Sequence, residues 1–282
     1  MTYLPRAKAL SLAFLFLFWV PYAAAEEEKA PAPELAYTTP VGSRIVDTGK
    51  LSPYHAVWVR HTRDDEESDW AITGSAEETL KVDENGRWRH TQIIRPTDSD
   101  QKGTAIRTFD FSTFRPLHFT RTLENGPEGA PVEIELEYGP IDVTGHYLLA
   151  DGTEIPFHQE LPMPMFDGFI VGLVIATLPL EKGFRETLPT VIPTLKSTYW
   201  MEVVVTGKIP YEVITGEVIE VWEVTVNWYN IDAEDWYPPG RDEWGGAYYI
   251  AVEPGNGVPF VVEYAHSTLV FAWDGVRRKP GN

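Results

Sequence analysis

The 282-residue chain reads as a mainly β protein built on a strongly curved antiparallel sheet or open barrel. Three observations predict this. Strand-like runs separated by turn dipeptides follow one another through most of the chain, helical periodicity is confined to one short segment, and no sequence period repeats. The last point excludes solenoids and propellers, whose units recur at fixed spacing. The length suits one large domain, since all-β domains commonly reach about 200–250 residues, and residues 41–275 are expected to form it.

The first 25 residues, MTYLPRAKALSLAFLFLFWVPYAAA, join a basic start at Arg6 and Lys8 to an apolar run from Ala9 to Val20 and a small-residue end at Ala23 to Ala25. This is the pattern of a Sec-type signal peptide, cut after Ala25. The apolar run is shorter than the roughly 20 residues a membrane-spanning helix needs. The expected product is therefore soluble and periplasmic or secreted. The following EEEKAPAPELAYTTP is charged and proline-rich without an apolar period, so residues 26–40 read as a flexible leader.

The strand signals come next. In LKVDENGRWRHTQII, Asn85-Gly86 separates two alternating runs, which predicts a hairpin. Further runs are GTAIRTFDF, RPLHFTRTLEN, VEIELEY and TGHYLLADGTEIPF. The late region adds STYWMEVVVTG, GEVIEVWEVTVNWY, GAYYIAVE, VPFVVEYA and STLVFAW. Within Val132 to Tyr138 the residues Val132, Ile134, Leu136 and Tyr138 share one face and three glutamates the other, so one side of the sheet is buried and one is wet.

The segment FDGFIVGLVIATLPLEKG is uncharged between Asp167 and Glu181. Phe166, Phe169, Ile170, Leu173, Val174 and Thr177 fall on one helical stripe, while Gly168, Gly172 and Ala176 recur every four residues on another. A helix apolar all round must be buried all round, and small residues at that spacing allow close approach to a sheet. Asp167 suits the positive end of the helix dipole, and Pro179 stops the helix. A buried strand is the competing reading, because Ile170, Val171, Val174 and Ile175 are β-branched. The run exceeds the usual strand length of about 5–6 residues, which favours the helix.

Composition removes several function classes. The formal charge is -19; loss of Met1 to Ala25 takes away Arg6 and Lys8 and no acid, leaving 257 residues at -21, from 21 basic against 42 acidic side chains. Such a charge repels phosphate backbones, and the one basic cluster, Arg277, Arg278 and Lys279, lies in a short tail over 276–282, so no nucleic-acid partner is expected. The absence of cysteine excludes disulfides, thiolate metal sites, lipid attachment and a cysteine nucleophile. No G-x-S-x-G elbow occurs, and the seven histidines show neither H-x-H nor H-E-x-x-H spacing. The acidic clusters Asp64 to Glu67 and Asp232 to Asp235 lack the ordered calcium-loop pattern. Arg107, Asp110 and His118 lie near one another in sequence, with no role assigned to them. The expectation is no catalytic residue, no metal and no cofactor.

The stretches FDFSTFRPLHFTR, VIATLPLEKGFRETLPTV, MEVVVTGKIPYEVITGEVIEVWEVTV and AYYIAVEPGNGVPFVVEYAHSTLVF together resemble a large exported bacterial family of unknown function, DUF3108-like, over most of Tyr54 to Phe271. In that family an Asp followed by Thr-Leu-x-Pro usually ends one strand; here Asp110, Thr113 and Pro116 keep the pattern and Phe114 replaces the leucine. The resemblance implies a half-barrel of antiparallel strands wrapped around a short apolar helix, similar to the periplasmic carriers that shuttle lipoproteins to the outer membrane. The family carries no activity to transfer. The aromatic loop after Val226 departs from it as an apparent insertion.

Two functions follow as expectations. The first is a non-enzymatic binding or carrier-like protein of the cell envelope, holding a lipid, an acyl chain or a protein segment in the concave face, with Phe166, Phe169, Ile170 and Leu173 as candidate contacts. The alternative is a glycan-binding or glycan-processing protein that uses the loop 227–249, where Trp228, Trp236, Tyr237 and Trp244 stand among acids, prolines and glycines. Aromatic rings of this kind stack on sugars when exposed. Equally, Trp228, Tyr248 and Tyr249 can belong to strands and the loop aromatics can fold back on the hairpin.

Overall fold

The computed structural model describes residues 38–62, 69, 71–212, 218–231 and 246–252, and the backbone of 259–264 and 267–271. The expected signal peptide, nearly all of the expected leader, the acidic clusters, Trp236, Tyr237, Trp244 and the basic tail lie outside the described residues. Among those described, no helix is long and apolar enough to cross a membrane.

Eight strands come first: β1 (Tyr54–Thr62), β2 (Ala71–Val82), β3 (Trp88–Pro96), β4 (Lys102–Phe109), β5 (Pro116–Glu124), β6 (Pro131–Tyr138), β7 (Asp142–Leu149) and β8 (Glu154–Glu160). A two-residue β9 (Phe166–Asp167) leads into the helix α1 (Val171–Thr177). Then come β10 (Arg185–Ile192), β11 (Ser197–Glu212), β12 (Val218–Asn230), β13 (Gly246–Ala251), β14 (Pro259–Tyr264) and β15 (Ser267–Phe271). Each strand pairs antiparallel with its neighbour, except that β9 runs parallel to β10. The last strand, β15, returns to pair with β1, which gives one 15-stranded sheet with β8 at one edge and β9 at the other.

That order forces the sheet to curl. Strands sit about 4.8 Å apart, so a flat sheet of this size would hold its edges roughly 65 Å apart. The chain crosses from β8 to β9 in the five residues 161–165, a reach of at most about 20 Å. The edges therefore come round toward each other, and Lys196 Nζ, in the turn between β10 and β11, lies 5.2 Å from the ring centroid of Phe157 on β8.

The predicted strands form, and their phase is the predicted one: Ile134, Leu136 and Tyr138 are buried while Glu133, Glu135 and Glu137 alternate with them. The hairpin at Asn85-Gly86 also forms, through a longer turn than a two-residue loop. Asp83 Oδ1 accepts from the amides of Asn85 and Arg87 (both 2.9 Å), and only Gly86 takes a positive φ, +71°.

The apolar segment divides between the two readings of its sequence. Phe166 and Asp167 are strand, Gly168–Ile170 form a 3-10 turn, and only Val171–Thr177 is α-helix. The helix ends at Leu178, ahead of Pro179. Asp167 accepts a 2.8 Å bond from the Phe169 amide, which anchors the 3-10 turn. Close approach is real at Gly168, where a Cβ would stand 2.7 Å from Ile192 Cγ1 and 3.1 Å from Thr190 Cγ2. Val171, Leu173, Val174, Ile175 and Ala176 are all buried. They pack with Leu80, Trp88, Phe109 and Phe114 from the first half of the sheet and with Leu188, Met201, Val203, Val224 and Ile250 from the second.

Candidate functional site

Alternation places one row of side chains from each strand on the concave face, and directly opposed residues share that face. On β10 to β13 the buried row is almost wholly apolar: Leu188, Ile192, Tyr199, Met201, Val203, Val205, Val224, Val226, Trp228, Tyr248 and Ile250. The first half differs. Glu78 follows Ala76 and precedes Leu80 in phase on β2; His90 follows Trp88 on β3. Arg107 sits between Ala105 and Phe109 on β4, and Arg121 between Phe119 and Leu123 on β5. Register brings them together: His90 is opposite Arg107, Arg107 opposite Phe119 and Ala105 opposite Arg121.

Arg107 is the centre of this cluster and is only 3% exposed. Its guanidinium carbon lies 4.9 Å from the ring centroid of Phe119 and 4.8 Å from that of Phe169, so two aromatic rings lie against the cation. Arg107 Nε is 3.7 Å from Asp167 Oδ2, close enough for attraction and too long for a hydrogen bond. Asp167 is held by others: Tyr138 donates to Oδ2 at 2.7 Å and the Phe169 amide to Oδ1. Burial, then the charge of Asp167 and its hydrogen bond, hold the Tyr138 phenol protonated, with its pKa well above the ordinary value.

Glu78 is the second buried carboxylate. Tyr54 donates to its Oε1, His90 Nε2 lies 3.3 Å from the same oxygen, and Gln92 donates to Oε2 at 3.4 Å. Burial alone would raise its pKa; the charge and hydrogen bond of His90, the bond from Tyr54 and the more distant Arg107 outweigh that and keep it below the ordinary carboxylate value. Burial raises the Tyr54 phenol well above its usual value, and the negative Glu78 adds to this.

The cluster extends toward the sheet edge. Burial draws Arg121 below the usual guanidinium value; nearby Tyr147 opposes the shift and Arg107 adds to it. Burial raises Tyr147 to about 12, against an opposing pull from Arg121. Six buried polar atoms of the cluster and its extension lack a hydrogen-bond partner among the described residues: His90 Nδ1, Arg107 Nε and Nη1, Arg121 Nε, the Tyr147 hydroxyl and Gln159 Oε1.

Of the sequence-derived candidates, Phe169 reaches this cluster through its ring against Arg107, and the other described ones fall in a different place. Phe166, Ile170 and Leu173 are core residues around α1, with Trp228 of β12 in the same cluster and Phe169 packed against it. Trp228 meets Tyr199 edge-on at 5.6 Å between centroids, and Tyr248 and Tyr249 lie in β13. Trp236, Tyr237 and Trp244 lie outside the described residues. Of the trio Arg107, Asp110 and His118, only Arg107 turns inward. His118 faces Glu135 and Glu137 on the outer surface at 3.5 and 3.6 Å. Asp110 caps the turn after β4, accepting from the amides and hydroxyls of Ser112 and Thr113 at 2.8–3.0 Å. That turn delivers Phe114, at φ +57°, into the core with no exposed surface, which gives the Asp-x-x-Thr motif a structural role. The inner polar cluster was missed, although its signal was present: a charge where period two calls for an apolar residue.

The sheet and its contents define a class, a β-barrel-like protein that, among the described residues, carries one short α-helix in its concave face. Residues 67–263 match the family described as "Protein of unknown function (DUF3108)", and the chain belongs to that family. Among solved structures it is similar to a beta-barrel-like protein of domain of unknown function DUF1849 from Brucella abortus. The TM-score is 0.51 and the identity 12%, over 79% of this chain and 96% of that one, a likeness of fold alone. No curated protein matches the chain.

Proposed function

We propose that the protein is an exported, non-enzymatic binding or carrier-like protein of the cell envelope, which holds an apolar or amphiphilic ligand in the concave face of its curled sheet. The carrying observation is the way that face is covered. Its apolar lining packs against a helix of only seven residues, Val171–Thr177, preceded by a 3-10 turn and followed at once by Leu178-Pro179. Isolated helices shorter than about 12 residues are marginal in water, so α1 owes its form to the apolar surface it touches. A ligand of matching chemistry competes for the same surface. Export rests on the signal-like start of the sequence.

The test is to express the chain from Glu26 in a bacterial periplasm and purify it without detergent. Native mass spectrometry and denaturing extraction then identify anything bound. A co-purifying apolar mass at one per chain is expected. A spectrum containing only the bare chain, repeated after incubation with host lipid extract, overturns the proposal.

A further inference from the structure

The inner polar cluster holds more donor capacity than its own carboxylates use. Asp167 has one oxygen on the Phe169 amide and the other on Tyr138. Glu78 has Tyr54 and His90 on one oxygen and Gln92 on the other. Neither makes a hydrogen bond to Arg107, whose Nε and Nη1 are buried without an acceptor among the described residues. Leaving buried charged donors unpaired is costly, and native structures rarely do so without a use for them.

The neighbours strengthen the point. Arg121 Nε and the Tyr147 hydroxyl are two more buried donors without partners, and Gln159 adds an amide whose oxygen is unpaired. A turned-over amide presents a donor there instead. Arg107 and Arg121 repel each other in a setting that is short of free acceptors. Phe119 and Phe169 lie against the Arg107 cation but offer its N–H groups no oxygen, and the N–H groups of a guanidinium match the oxygens of a carboxylate or phosphate.

We propose that the interior of β4 to β8 is an oxyanion receptor, in which Arg107, Arg121 and Tyr147 bind the carboxylate or phosphate head of an amphiphile. This rests on the carrier reading and sharpens it: the head sits in the polar half, and the chain runs over the apolar half that α1 covers. Arg121, Tyr147 and Gln159 are half-buried and lead inward from the β8 side, while Arg107 lies deepest.

Isothermal titration of the chain from Glu26, stripped of bound lipid, with octanoate, octyl phosphate, 1-octanol and inorganic phosphate tests both parts. Expected is one-to-one binding of octanoate or octyl phosphate, with 1-octanol at least about tenfold weaker, the scale of one charge-assisted contact. Arg121→Gln should weaken the charged probes about tenfold and leave 1-octanol unchanged. Arg107→Gln should do the same; if that variant does not fold, the half-buried Arg121 still decides. If 1-octanol binds as tightly as octanoate and Arg121→Gln alters neither, the receptor is wrong and the carrier reading stands. If inorganic phosphate binds through Arg121 and an octyl chain adds nothing, the receptor stands and the carrier reading fails. If no probe binds, both fall.

Discussion

The two halves of the concave face obey the same period-two rule and put opposite chemistry on it. From β10 to β13 the buried row is nearly all apolar and its partner is α1. From β2 to β8 that row is interrupted by Glu78, His90, Arg107 and Arg121. The apolar half needs only volume to be filled, whereas the polar half needs each donor and acceptor to find a partner from another strand. The difference teaches where function is built: packing explains the apolar half, whereas the buried donors of Arg107, Arg121 and Tyr147 that lack hydrogen-bond partners among the described residues lie in the polar half. Asp167 stands at the seam, since it starts the approach to α1 and also faces Arg107.

The largest effect is therefore expected at that seam. Asp167→Ala removes the acceptor for Tyr138 and the Phe169 amide, and leaves Arg107, 3% exposed, without its nearest buried carboxylate. Breaking a buried pair from one side costs about 3–5 kcal/mol. Urea denaturation should report a loss of that order. A loss below about 1 kcal/mol would mean that water or Glu78 neutralises Arg107, and the seam would not couple the halves.

The apolar half answers to a different change. Ile175→Ala, at a side chain with no exposed surface, should cost about 2–5 kcal/mol and Ile175→Val about 1 kcal/mol, as deletions in a packed core do. A graded response confirms that volume is what this half requires. If Ile175→Ala is near neutral, α1 is loosely seated and the contrast between the halves weakens. Gly168→Ala comes next, at about 1–3 kcal/mol, because the new methyl would meet Ile192 Cγ1 at 2.7 Å. Combined with Ile192→Ala, which removes Cγ1, it should cost less than the sum of the two single losses, as read by thermal unfolding.

The fold was legible because its signals are local. Alternation such as Val-Glu-Ile-Glu-Leu-Glu-Tyr fixes a strand and its faces from seven residues. Helix length was less legible: the stripe from Phe166 to Thr177 suggests one short helix over that whole span, and the docking of Phe166 and Asp167 beside β10 shortens it to Val171–Thr177. The cluster around Arg107 was not read, because its meaning depends on register between strands. In its local sequence Asp167 suggests a partner for a helix dipole, a local role. Its bond to Tyr138 spans 29 residues, and nothing in either local sequence announces it. The in-phase charges of Glu78, Arg107 and Arg121 were visible as interruptions, but an interruption does not reveal which neighbours it will meet.

The smallest effect is expected at Asp110, where a polar group is satisfied by its own turn and not by another strand. Burial is the largest single influence and raises its pKa, but the hydroxyls and amides of Ser112 and Thr113 together outweigh it and hold the carboxylate below its ordinary value. A depressed folded pKa contributes stability that is fully present above the unfolded value, about 3.9, and is lost as pH falls through the lower folded value. Asp110→Ala should therefore cost about 1 kcal/mol near neutral pH, the scale of a lost cap. The gap between wild type and variant should hold from pH 7 to about 5 and shrink below about 4. Thermal unfolding across that range reads it directly. A gap that persists unchanged in acid would show that the turn depends on the shape of the side chain and not on its charge. The local site would then differ in kind from the buried carboxylates, whose value lies in the charges they face.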